Sequence, residues 1–444
     1  MGRRSTTGRF LRRRTSETET TAPQVVRQRA NPWTAPTEAP LSPVAHPPGG
    51  VTYIGRAPVF DRRLDVAGFH LIVDQMGTEK QEPPDPFASR QVLTRALLEV
   101  GLDSLIGART GFVEVTLDML ADGLHRALPG HRMALEVSGV VDGEAVELLR
   151  TVREEGYTLL VADLLHAERP AEILPVAGGA RVGLDPAALH EVAELRGRVA
   201  PRSKLLVCDL QSGDDVDPCR QAGATWMRGE VLRPTETIDE PTVPANRLAV
   251  LELLAELERP EVGIEDIDRL VSMDLGMSYK VLRMANSSYL ALERRVEHTR
   301  DAIVYLGIDT VRAVAALLAL SEATDHPPEI VHISLVRAKH CEEIAKVTSP
   351  ALSHAAFTTG LFSGLDVLLG LSMSQVLDRI PVSDEISEAL RDRSGRLGSL
   401  LSTVISYERH DLDALARSSI EPGTVVIAYR HALNWVGRIT RGLS

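Results

Sequence analysis

An imidazole and three carboxylates stand in or at the ends of successive β-rich runs. His70 lies in the run 69–73, Glu114 in 112–115, Glu136 in 133–137, and Asp163 directly after 158–162. Oxygen and imidazole donors of this kind could gather one divalent cation if the runs lie side by side in one direction. The plainer reading is that they are ordinary polar residues at the rim of a sheet. Cys208 sits near the end of a further run, 205–210, where a buried small hydrophobe is a simpler reading than a reactive thiol. Cys219 and Cys341 read the same way. Three cysteines without CxxC spacing argue against both a zinc site and a disulfide framework. Near the N-terminus, Thr15, Ser16, Thr18, Thr20 and Thr21 follow three arginines. Many serine/threonine kinases accept that setting, although a solvated linker has the same composition.

Short β-rich runs alternate with amphipathic helical segments from 51 to about 240. The runs are 69–73, 112–115, 133–137, 158–162, 181–184, 205–210 and 225–227. Helical spacing falls between them at 89–100, 117–127, 143–155, 186–195 and 217–222. This alternation predicts a parallel sheet. At least seven units in so short a stretch suit a compact β/α barrel, though periodicity alone leaves closure open. Prolines interrupt the pattern near 240–244. From 246 to about 440 strand signals vanish, and helices are expected at 247–257, 264–273, 278–286, 299–306, 311–321, 333–348, 356–369, 372–379, 384–392 and 397–408.

Composition sets further bounds. Apolar content of 44% and charged content of 25% suit an ordinary globular chain, while only 4% aromatics leaves Leu, Val, Ala and Ile to fill the cores. Residues 1–50, rich in Arg, Thr and Pro, read as a disordered tail. They carry eight Arg against three Glu, a local +5; with −12 overall, residues 51–444 carry −17. So acidic a folded part is not expected to bind DNA, whose phosphates must be met by cations. No apolar run approaching a bilayer span and no secretory leader are expected, so the reading is cytoplasmic.

A YIxRxPIFDR-type opening, here Tyr53-Ile54-Gly55-Arg56-Ala57-Pro58-Val59-Phe60-Asp61-Arg62, precedes the run containing His70-Leu71-Ile72. This stretch resembles the start of EAL domains, the β/α barrels that hydrolyse cyclic di-GMP. More narrowly, it resembles the EAL–HDOD two-domain family. Further on, VSMDLGMSYKVLRMANSSYL at 271–290 and DAIVYLG at 301–307 resemble the HDOD domain. The resemblance implies a tail over 1–50, a TIM-like EAL-type α/β barrel over 51–240 and an all-α HDOD domain over 246–440.

EAL enzymes use two divalent cations to neutralise the phosphate and activate water. The resemblance places His70 at the glutamate of the EAL motif and Asp74 at a phosphate-gripping arginine. It places Glu114 at a ligand asparagine and Glu136 at a matching metal-binding glutamate. Ala162 and Asp163 fall at a pair of aspartates, Arg181 at the catalytic lysine, Cys208 at a glutamate and Arg228 at a glutamine. HD phosphohydrolases, which HDOD domains resemble, use a His, a His-Asp pair and a further Asp. Here His340 falls at the first His, and Ser363 and Gly364 at the pair. The expectation is therefore no catalytic residue, no metal and no cofactor. The chain reads as a non-enzymatic signal-transduction protein working through contacts with protein partners and able to self-associate. Binding of cyclic di-GMP is not expected, with Asp74 the main argument against it; a dinucleotide receptor or a residual phosphodiesterase are the alternatives.

Overall fold

The computed structural model describes residues 51–76, 101–229 save 140 and 163, and 252–443 save 255, 258, 260–261, 287–295, 324–327, 370 and 381. The tail with its five hydroxyl residues, the expected helix at 89–100, Asp163 and the domain boundary at 240–246 lie outside them.

Eight strands close into a barrel in sequence order: β1 (Val51–Asp61), β2 (Val66–Met76), β3 (Thr110–Thr116), β4 (Met133–Ser138), β5 (Thr158–Val161), β6 (Gly179–Gly183), β7 (Lys204–Leu210) and β8 (Trp226–Gly229). From β2 to β8 every pairing is parallel, as the strand–helix alternation predicts. β1 runs antiparallel to both its neighbours. The reason is the short link after it, because only a long crossover can make the next strand parallel. Within that link the Asp61 carboxylate accepts from the backbone N–H groups of Arg63 and Asp65, at 2.8 and 3.0 Å. Besides two five-residue helices, Leu102–Ile106 and Leu117–Ala121, the described barrel carries α1 (Gly143–Glu154), α2 (Pro170–Ala177), α3 (Pro186–Val199) and α4 (Val216–Gln221).

Side chains fill the lumen. Val59, Phe112, Ala134, Leu160, Leu206 and Cys208 form one buried cluster, with Trp226 against it. Phe112 and Trp226 meet edge to face, centroids 5.1 Å apart. Two residues further along β3 and β4, on the same face by strand alternation, come Glu114 and Glu136, which are themselves register partners. An apolar plug thus supports a charged layer at the C-terminal end of the barrel.

The second half is helical, as expected. Its main elements are α5 (Ile264–Ser272), α6 (Leu275–Ala285), α7 (Thr299–Leu306), α8 (Ile308–Ala323), α9 (Pro328–Thr348), α10 (Ser353–Phe362), α11 (Asp384–Asp392), α12 (Gly395–Glu408) and α13 (Pro422–Leu443). The core is α9 packed on α10 and α13. Where α10 crosses α9, a Cβ on Gly360 would lie 2.7 Å from the Ala338 Cα, so the approach requires glycine. The helix expected over 356–369 breaks at Ser363–Gly364 into α10 and Leu365–Leu369. Pro350–Leu369 together is apolar enough by composition to cross a bilayer, an exception to the sequence reading, and 61% of its window is buried in the fold. The longest described helix, α13, was not anticipated, although Val425, Tyr429, Ala432, Val436 and Ile439 mark its buried face with helical spacing.

The two halves meet along β1. The Tyr53 hydroxyl donates to the Tyr407 carbonyl at 2.5 Å, and the Tyr407 hydroxyl donates to the Ile54 carbonyl at 2.6 Å. Tyr407 lies on α12, and Tyr429 of α13 meets it at a tilt of 50°, ring centroids 4.8 Å apart.

Candidate functional site

The charged layer at the barrel's C-terminal end centres on Glu136, whose side chain has no exposed surface. β4 carries it inward two positions above Ala134, β6 brings Arg181 and β8 brings Arg228. Arg228 Nη1 donates to Glu136 Oε1 at 2.5 Å and Nη2 to Oε2 at 3.1 Å. Arg181 Nη1 donates to the same Oε2 at 3.1 Å and reaches Glu114 at 3.5 Å. Both oxygens of the buried carboxylate are therefore held by guanidinium groups. His70 Nε2 lies 3.7 Å from Glu136 Oε1, too far for a hydrogen bond.

Electrostatics follow from this geometry. Burial works to raise the Glu136 carboxyl, but the neighbouring positive charges hold it below its ordinary value. Burial, with Arg228 beside it, pushes the His70 imidazole down to about 4, so it is neutral near pH 7 and the arginines supply the counter-charge. Burial pushes the Cys208 thiol up to about 12, which fits an inert, buried cysteine.

A cavity of about 370 Å³ opens above this layer, lined by Ala162, His166, Arg181, Cys208, Asp209 and Arg228 among others. Its size falls in the range usual for small-molecule sites, ~300–1,000 Å³. The structure thus brings together six of the positions singled out from sequence: His70, Glu114, Glu136, Arg181, Cys208 and Arg228, with Ala162 on the wall. Asp74 is placed differently. Its carboxylate pairs with His410 of the helical half, Nε2 to Oδ2 at 3.2 Å. No sequence signal pointed to His410.

The resemblance to EAL domains implies divalent cations, and the donor set among the described residues, which leave out Asp163, does not fit them. A metal-binding carboxylate must offer lone pairs, and those of Glu136 already accept from two permanently charged groups. Glu114 is half exposed and shares Arg181. Among the described residues no group of three or more His, Cys, Asp or Glu could hold a metal ion.

The helical half has a corresponding centre. Arg337 forms a bidentate pair with Glu408, at 2.7 to 3.0 Å, and its Nη1 donates to the Ser363 hydroxyl at 3.1 Å. Ser363 donates to the Gly360 carbonyl at 2.8 Å, and Gly364 packs beside Ser334. His340 is fully buried, and its Nε2 lies 2.9 Å from the Val425 carbonyl. Its position is that of an interior histidine hydrogen-bonded to backbone.

Comparison with known proteins places these sites in context. Residues 241–392 match the HDOD domain model. The chain is 27% identical over 383 residues to the protein named Cyclic di-GMP phosphodiesterase CdgJ of Vibrio cholerae, covering 84% of this chain and 88% of that one. It is 21% identical over 404 residues to the Bacillus subtilis protein YuxH, covering 86% and 97%. Among solved structures, the PaMucR phosphodiesterase in complex with c-di-GMP is similar at 13% identity and a TM-score of 0.34, covering 41% of this chain and 97% of its own. An EAL domain protein of Listeria monocytogenes is similar at 12% and 0.33, covering 41% and 87%.

The expectation that the chain is not an enzyme is corrected by the first of these relatives, a protein named a phosphodiesterase and matched along most of both lengths. Arg181 and Arg228 are visible in the sequence one by one, but that both converge on Glu136 follows only from closure of the barrel.

Proposed function

For this chain, an EAL-like barrel followed by an HDOD domain, we propose a role in cyclic di-GMP signalling in which the barrel mouth takes up the dinucleotide. The observation that carries the reading is the cavity floored by Arg181 and Arg228 at the C-terminal end of the barrel, where β/α barrels keep their active sites. The likeness to a protein named for cyclic di-GMP supports the ligand class. Asp74, the main sequence argument against binding, lies against the His410 imidazole of the helical half at 3.2 Å. The helical domain then passes the state of the mouth to a macromolecular partner. β1 is the physical link, because it pairs with β8, the strand of Arg228, and is clamped by Tyr407.

The test uses the full chain with cyclic di-GMP, following binding by calorimetry and cleavage by chromatography of the products. Heat of binding, with or without a linear dinucleotide product, supports the reading. Neither heat nor product at high micromolar ligand overturns it.

A further inference from the structure

We propose that the mouth receives a phosphodiester on the guanidinium groups of Arg181 and Arg228 with no divalent cation. The inference rests on the dinucleotide reading above and concerns how the anion is held. In an EAL enzyme the charge facing the phosphate comes from metal ions seated on carboxylates. In this chain the carboxylate at the heart of the layer, Glu136, already carries two guanidinium groups on its two oxygens.

The charge balance is specific. Arg181 and Arg228 contribute two positive charges and Glu136 one negative, while His70 is neutral near pH 7 and burial keeps Cys208 a thiol. The buried part of the layer therefore holds one net positive charge, the complement of one phosphodiester. Glu114, half exposed and 3.5 Å from Arg181, offsets part of that charge through water, and Asp209 stands exposed at the rim. Glu136 also orients its partners. An arginine held by one edge of its planar fork presents its remaining N–H groups in a fixed direction. Both arginines line the cavity. Glu136 is thus a positioning residue, and the arginines are the groups that touch the ligand.

This arrangement predicts an outcome that a metal site would not give. If Glu136 held a metal, Glu136→Gln would abolish binding. If it restrains two arginines, Glu136→Gln leaves their charge uncompensated while loosening their orientation, and binding persists, weakened at most by the lost orientation.

The experiment measures cyclic di-GMP binding to the full chain by calorimetry in EDTA, in magnesium and in manganese. The expected affinity is the same in all three. Arg228→Gln weakens binding by about tenfold to a hundredfold, the loss typical of a charge-assisted hydrogen bond. Arg228→Lys, which keeps the counter-charge on Glu136 and so guards against misfolding, weakens it less. Manganese alone gives no thermal stabilisation of the wild type. Binding that is lost in EDTA and restored by either metal overturns the proposal while leaving the dinucleotide reading standing. So does abolition of binding by Glu136→Gln in a folded variant. Absence of binding in all three conditions overturns the dinucleotide reading and this proposal with it.

Discussion

The Tyr53 hydroxyl donates to the main-chain carbonyl of Tyr407 across 354 positions of sequence, and the Tyr407 hydroxyl donates back across β1 to the Ile54 carbonyl. Both phenols are buried, and burial raises both above their ordinary range, so they stay protonated donors. Tyr407→Phe leaves the Ile54 carbonyl without its side-chain donor. The expected cost is about 1–3 kcal/mol, the penalty of an unsatisfied buried group. Urea denaturation of the full chain measures it; an unchanged midpoint would mean that the clamp contributes no stability.

Glu136 is the second test of packing. Removing one partner of a buried ion pair costs ~3–5 kcal/mol, and water reaching Arg181 and Arg228, at 24% and 15% exposed, points to the lower end. Glu136→Gln should therefore lower stability clearly. The double variant Glu136→Gln with Arg228→Gln should recover part of the loss, because one stranded cation is then gone. A double-mutant cycle on unfolding free energies reads the coupling, and purely additive losses would rule it out.

The Arg337–Glu408 pair makes a parallel case in the helical half. Arg337→Met strands Glu408 and removes a donor to Ser363. With each side chain still 19% exposed, the loss should again lie near the low end of ~3–5 kcal/mol. Retention of wild-type stability in the variant would show the pair to be dispensable.

Acid should weaken the fold through His340. Burial pushes its imidazole down to about 4 from an ordinary 6.5, against the opposing pull of the Val425 carbonyl and Glu343. Between those two values the unfolded chain takes up a proton that the folded chain refuses. Stability is therefore complete above about pH 6.5 and is lost as pH falls toward 4, by up to ~3 kcal/mol at ~1.36 kcal/mol per pKa unit. His70, also near 4, acts in the same direction. Denaturation midpoints at pH 7 and 5 should separate clearly in the wild type and draw closer in His340→Gln. Equal separation in both would exclude His340 as a source.

Much of the barrel was readable in advance because each strand is a local signal. The runs 69–73, 112–115, 133–137 and 205–210 lie inside β2, β3, β4 and β7, and the charged positions fell on the same strands. What those charges do was not readable. Arg181 and Arg228 lie on separate strands, and only closure of the barrel aims them both at Glu136. The pairing of Asp74 with His410 depends on domain docking, which leaves no periodicity in either segment. The α13 helix is a different case. Its apolar spacing at 425–439 is a local signal of the same kind as the strands.

The clamp on β1 also bears on synthesis. The Tyr53 hydroxyl on the first strand finds its acceptor in a residue made 354 positions later. At ~5–20 residues per second, Ile54 is incorporated roughly 20–70 s before Tyr407. The nascent barrel must wait that long with the Tyr53 edge of its opening strand unclaimed. A chain cut between the halves would keep that edge bare permanently, which makes the separated barrel a poor surrogate for the whole.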